Sequence, residues 1–245
     1  MVFSFLKNLF KPNKEIEEKY SKINKIKTLS DVDKYDFTST LDEKFIESLK
    51  RTKEIEYEKF IKSTNSRELF DHYVVFDLET TGLQADHEDI IEIGAIKFEY
   101  DEPIEYFNTY IKPTKKIRKK ITTITGISND DVINAPTIDM IIPHFLKFID
   151  KHPLVAHNAK FDMSFLLENL YKLGYSKPKN KVIDTLQLSR KYIRDLDDKK
   201  LKSYSLESLK DNLCCWDIDS HSALEDCKMC SIVLLECKKE IEYEY

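Results

Sequence analysis

The sequence predicts an α/β domain, a sheet with helices packed on its faces, preceded by a charged helical extension. Two observations predict the domain. Three β-rich runs follow one another between Tyr73 and Ile111, and beyond them helical periodicity alternates with short apolar strands as far as about Lys239. A third observation marks the extension: from Lys14 to about Ser66 there is neither glycine nor proline, and Lys and Glu alternate with isolated apolar residues. These shifts divide the chain into an extension, residues 1–66, and a domain, residues 67–245.

Met1 to Phe10, MVFSFLKNLF, is apolar and aromatic with a single Lys, too short to cross a bilayer and without a small-residue cleavage site. It reads equally as a segment docked on a membrane surface or partner and as a packed or frayed terminus. Within the extension, Ile16, Tyr20 and Ile23, then Leu41, Phe45 and Leu49, recur at helical spacing, which predicts amphipathic helices broken near Ser30 to Ser39. Their apolar stripes read first as packing on the neighbouring domain and second as a surface for a protein partner.

In the domain, Tyr73 to Gly82, YVVFDLETTG, is a strand running into a turn, and Ile90 to Phe98 and Ile104 to Ile111 complete a meander. Pro136 to Ile149 carries helical periodicity. Pro153 to Ala156 is a short buried strand, and Phe161 to Leu173 is a helix closed by Gly174. Val182 and Ile183 form another short strand, with Asp184 placed to cap the next helix. Ser205 to Leu213 and His221 to about Lys239 are the last helices.

Composition bounds the function. The 245 residues are 41% hydrophobic and 11% aromatic, enough for a core, but they leave no room for a separate polymerase or helicase domain. With a net charge of −5, a nucleic-acid binder needs a local basic patch, and Lys112 to Lys120, KPTKKIRKK, is the densest. That stretch reads equally as a phosphate contact and as a solvated loop. The five cysteines, Cys214, Cys215, Cys227, Cys230 and Cys237, in a chain without a recognisable secretory signal fit a reducing cytosol, so a cytoplasmic location is expected. Cys227 and Cys230 form a C-x-x-C without a second pair, and buried helix thiols are the better reading. No apolar run reaches the length of a transmembrane segment.

The chemistry gathers at the first strand. Period-two alternation sends Asp77 and Glu79 to one face, and two like charges on a buried strand persist where a cation sits between them. The alternative is a solvated strand end. Val155 to Asp162, VAHNAKFD, brings Asp162 to a helix start, where charge compensation alone would also explain it. His221 to Asp226, HSALED, places a His and an Asp five apart at the opening of the last helix, so both can face one cavity if the His lies in the loop or first turn.

Taken together and in this order, these motifs resemble those of the DEDDh superfamily of 3′→5′ exonucleases. They are most similar to the proofreading (epsilon-type) exonuclease of bacterial DNA polymerase III, which occurs as a separate subunit or as a domain. The resemblance spans roughly residues 70 to 240 and includes DLETTG at Asp77, ITGIS at Ile124 to Ser128, VIDTLQLSR at Val182 to Arg190 and SYSLESL at Ser203 to Leu209. It implies an RNase H-like fold, a mixed five-stranded sheet flanked by helices. It implies two divalent ions, Mg²⁺ or Mn²⁺, with Asp77 bridging both, Glu79 and Asp226 completing one site and Asp162 serving the other. His221 would be the general base. Thr80 and its neighbouring amides would meet the terminal 3′-hydroxyl, Leu83 the terminal base, and His157 and Asn158 the scissile nucleotide. Lys115, Lys116, Arg118, Lys119 and Lys120 become candidates for guiding the strand.

The function expected is therefore metal-dependent hydrolysis at the 3′ end of single-stranded or frayed DNA, in replication or repair. RNA as the substrate is an alternative, because discrimination depends on the 2′-hydroxyl. A non-catalytic module of the same fold, binding nucleic acid or a partner through residues 1–66, is the other.

Overall fold

The computed structural model describes residues 37, 39–63, 66, 68–195, 197–215 and 222–243. His221, the segment Met1 to Phe10 and the first set of extension positions, Ile16, Tyr20 and Ile23, lie outside the described residues.

The meander predicted from the sequence is present. Strands β1 (His72–Thr80), β2 (Ile90–Glu99) and β3 (Glu102–Tyr110) pair antiparallel in chain order. Tyr100 and Asp101, both at positive φ, make the tight turn from β2 to β3, as the right-handed twist of a two-residue hairpin demands. The Asp101 carboxylate is also used, accepting from the Tyr73 hydroxyl at 2.8 Å and pairing with Lys238. On the other side of β1, β4 (Leu154–Ala156) and β5 (Val182–Asp184) run parallel to it, giving the order β3-β2-β1-β4-β5. Only Val74 and Val75 register with β4, so that half of the sheet is short.

Nine helices surround the sheet among the described residues: α1 (Glu43–Leu49), α2 (Tyr57–Phe60), α3 (Lys119–Thr125), α4 (Asn129–Val132), α5 (Ile138–Ile149), α6 (Ala159–Lys172), α7 (Thr185–Tyr192), α8 (Leu206–Asn212) and α9 (Ala223–Tyr243). The alternation of β1 divides the core between them. Val74, Phe76 and Leu78 pack with Phe145 and Phe148 of α5 and Phe165 and Leu166 of α6. Tyr73 and Val75 pack on the opposite face with Leu188, Leu209 and the α9 residues Cys227, Cys230 and Val233. Asp77 and Glu79 continue that second series and so face α9. Burial pushes the Cys227 and Cys230 thiols well above the ordinary range, so they remain neutral packing groups.

One departure from the sequence reading stands out. The basic stretch ends inside α3 rather than in a loop, because no glycine or proline interrupts the chain between Thr114 and Gly126, whose φ of 73° closes that helix. In the extension, α1 and α2 pack on the outer side of α6 and the loop after it. Arg51 N donates to Gly174 O and Ser176 N to Leu49 O, both at 2.8 Å, the Tyr57 hydroxyl donates to Glu168 Oε2 at 2.6 Å, and Phe60 is fully buried. No helix among the described residues is long and apolar enough to cross a membrane.

Candidate active site

Asp77 and Glu79 stand at the carboxyl end of β1, where the register with β2 slips between Glu79 and Thr80. Such a bulge turns the strand end and re-aims the residues beyond it. Opposite Asp77 in the register is Gly94. The absence of a side chain there is what admits α9, because a Cβ on Gly94 would lie 2.5 Å from the carbonyl carbon of Ala223 and 2.6 Å from Leu224 N. Helix backbone therefore sits directly on strand backbone, with the Cys227 thiol against Gly94 O at 3.3 Å. One turn into α9, Asp226 reaches the strand acids, and one carboxylate oxygen from each of Asp77, Glu79 and Asp226 falls within 4.8 Å of the others.

Asp162 approaches from the other layer. It is buried in the first turn of α6, and its Oδ1 accepts the Leu78 backbone N–H at 3.2 Å, which fixes the helix start against the middle of the acidic motif. The four acids thus come from β1, α6 and α9.

Their electrostatics follow from crowding. Burial first, then the carboxylates of Asp162, Asp226 and Glu79, hold Asp77 well above the ordinary carboxylate range. Burial and the charges of Asp226, Glu92 and Asp162 push Glu79 up to about 8. Asp162 also rises to about 8, mainly by burial, with the Leu78 N–H opposing the shift. Neither Asp77 nor Glu79 has an ion-pair partner among the described residues. An all-oxygen donor set of this density fits a hard divalent cation, which would remove the repulsion that raises these groups.

Sequence reasoning missed Glu92. It is buried opposite Glu79 on β2, and its Oε2 accepts Ala223 N at 3.1 Å, the first backbone donor of α9. The Asn108 amide, in the orientation that satisfies both its ends, donates to Glu92 Oε1 at 3.2 Å. Burial raises the Glu92 carboxyl while the Ala223 N–H opposes that shift. Two signals were available in IIEIG: an acid inside an apolar strand, and a glycine in mid-strand.

The turn beyond β1 is clasped from outside. Thr80 Oγ1 donates to Gly82 O at 2.7 Å, and Thr81 Oγ1 donates to Glu88 Oε2 at 2.7 Å while accepting Asp89 N at 2.8 Å. Arg118 donates to Thr81 O and to Glu88 Oε1, both at 2.8 Å, so this member of the basic stretch is engaged in holding the turn. Leu83 projects from the turn with 84% of its surface exposed.

His157 and Asn158 come directly after β4. Both imidazole nitrogens are engaged, Nε2 with Tyr204 O at 2.8 Å and Nδ1 with Thr185 Oγ1 at 2.9 Å, and burial lowers the pKa. The ring is therefore a neutral brace between β4 and the loop before α8, and its nitrogens are not turned toward the acids. Asn158, at a φ of 62°, gives its backbone N–H to Asp184 Oδ1 and leaves its side chain at the edge of a cavity of about 850 Å³.

Comparison with known proteins agrees with this arrangement. The chain matches the family described as Exonuclease over residues 74–234. It is 38% identical over 170 residues to the PolC-type DNA polymerase III of Caldanaerobacter subterraneus subsp. tengcongensis and 39% identical over 177 residues to that of Clostridium perfringens, alignments that cover 69% and 71% of this chain. The chain spans only 12% of the length of either relative. Among solved structures, Exonuclease X in complex with 5′-overhanging duplex DNA superposes with a TM-score of 0.52 at 22% identity, covering 68% of this chain and 91% of that one. Exonuclease I of E. coli in complex with a dA16 oligonucleotide superposes with a TM-score of 0.58 at 18% identity, covering 71% of this chain and 43% of that one. These likenesses establish a shared RNase H-like fold. The matched span opens on β1 and closes within α9, taking in every element that carries one of the four acids, and by that match the chain belongs to the exonuclease family.

Proposed function

We propose that this protein removes nucleotides one at a time from the 3′ end of a nucleic-acid strand, DNA in preference to RNA, by metal-dependent hydrolysis. The observation that supports this best is the convergence of Asp77, Glu79 and Asp226 within 4.8 Å, with Asp162 buried against the same strand. Asp77, Glu79 and Asp226 would hold one divalent ion, and Asp77 and Asp162 a second, with Mg²⁺ or Mn²⁺ suited to the oxygen donors. Bound there, the ions would supply an acidified water and neutralise charge on the leaving oxygen.

The remaining roles belong to the chain itself. His221, five residues before Asp226, would take the proton from the attacking water, with an unperturbed pKa of roughly 6.5. Water oxygen bonds to the last internucleotide phosphorus, the bond from phosphorus to the 3′ oxygen of the preceding nucleotide breaks, and that oxygen takes up a proton. Thr80 and the amides of the clasped turn would seat the terminal 3′-hydroxyl, and Leu83 would pack on the terminal base. The DNA preference draws on the relatives, which are DNA polymerases, and on neighbours solved with DNA.

Side-by-side digestion of labelled single-stranded DNA, duplex DNA with a mismatched 3′ end and RNA tests the proposal. With Mg²⁺ or Mn²⁺, shortening from the 3′ end is expected in the parent protein, and a drop of about a thousandfold in Asp226→Ala. A folded parent protein that leaves all three substrates intact would refute it and favour a binding module.

A further inference from the structure

The cations around the cavity beside Asn158 have no part in the chemistry above. Arg190 of α7 and Lys200, Lys202, Ser203 and Ser205 from the loop before α8 line it, together with His157 and Tyr204. The three cationic side chains are exposed, and none has an ion-pair partner among the described residues. The neighbouring acid, Asp184, is occupied, accepting from Asn158 N at 3.1 Å, Leu186 N at 3.0 Å and Gln187 Nε2 at 3.2 Å. In a chain with a net charge of −5, three uncompensated cations and two hydroxyls around one cavity make a site for an anion.

The loop that carries them is held in place. Tyr204 O accepts from His157, and the Tyr204 hydroxyl donates to Ile193 O and accepts Leu201 N, both at 3.2 Å. Lys200, Lys202 and the two serines are thus presented from a pinned backbone.

Position identifies the anion. The sheet order puts the clasped turn after β1 on the β2 side of the acids and this cavity on the β4–β5 side. The cavity opens at His157 and Asn158 after β4, one strand spacing of about 5 Å from β1, and continues to Arg190 of α7 beyond β5, so it leads away from the acids on the side opposite the clasped turn. We infer that the cavity is a second phosphate site, taking backbone phosphates of the substrate strand on the 5′ side of the bond that is cut. The inference rests on the exonuclease reading and adds to it a handhold that senses strand length.

The test compares the parent with the triple variant Arg190→Ala/Lys200→Ala/Lys202→Ala, and with Lys199→Ala as control, since Lys199 is already paired with Asp197 at 3.2 Å. Three probes are used: an oligothymidylate of about a dozen nucleotides, a dinucleotide, and the p-nitrophenyl ester of thymidine 5′-phosphate. For the long strand, KM is expected to rise about tenfold in the triple variant, and the slope of log affinity against log salt to fall in magnitude by about 2, some 0.7 for each contact to a single strand. Turnover of the dinucleotide and of the ester should match the parent. Unchanged KM and salt slope for the long strand would overturn the inference, and so would an equal loss on the ester, which would place the cations at the cleavage centre. Equilibrium binding of the long strand in EDTA decides the phosphate site by the same salt slope even if the parent cleaves nothing, an outcome that would count only against the exonuclease reading.

Discussion

Replacing Glu92 separates position from chemistry. Glu92→Gln keeps an oxygen for the Ala223 N–H and should retain near-parent activity, whereas Glu92→Ala leaves that donor buried and unpaired, which destabilises the fold by about 1–3 kcal/mol and loosens the start of α9. Metal titration followed by thermal unfolding checks this, with weaker Mg²⁺ stabilisation expected only in the alanine variant. If Gln and Ala behave alike, Glu92 does not hold Asp226 in place. At this scale the sequence was legible wherever a residue's role follows from its strand face, as for Asp77 and Glu79. It was not legible where the role depends on a partner far along the chain. His157 belongs to the second kind, since Thr185 and Tyr204, which engage its ring, lie 28 and 47 residues away.

Among the elements, the extension yields the clearest prediction. Phe60 lies in the same core cluster as Leu170 of α6, and Arg51 stacks over the Tyr171 ring at 4.6 Å, so α1 and α2 cover one side of α6. A chain beginning at residue 67 should therefore unfold at a temperature lower by roughly 10 °C, the order expected for removing one fully buried aromatic. Thermal unfolding of the truncated and full chains checks it, and equal midpoints would show that the packing contributes nothing. The pattern gave α5, α6 and α9 because each is long enough to show a sustained apolar repeat. It missed α3 and α4, which are seven and four residues long and whose small cluster around Ile91, Ile117, Ile127 and Val132 offers no sustained period.

At the scale of the whole molecule, the acidic cluster sets how stability responds to pH. Glu79 is raised in the folded protein from 4.5 to about 8, so the folded state binds its proton more tightly than the unfolded state does. Stability of the metal-free protein is then fully present below about pH 4.5 from this group and is lost as pH rises toward about 8. Asp77 and Asp162 shift in the same direction. Mg²⁺ should raise the unfolding temperature strongly near pH 8 and little near pH 5, and an equal rise at both would contradict the cause assigned here. The unequal halves of the sheet carry one more consequence, for the order of assembly. Asp77, Glu79 and Glu92 lie on neighbouring hairpin strands and meet through local closure, while β4 has two residues in register with β1 and must be recruited across a long stretch of chain, along with α6 and α9. Asp162 and Asp226 therefore complete the cluster late, and a molecule caught part-way through folding holds only half of its acids. On the proposed chemistry, cleavage would become possible only once the last helix has docked, so a half-made chain would not degrade the strand it meets.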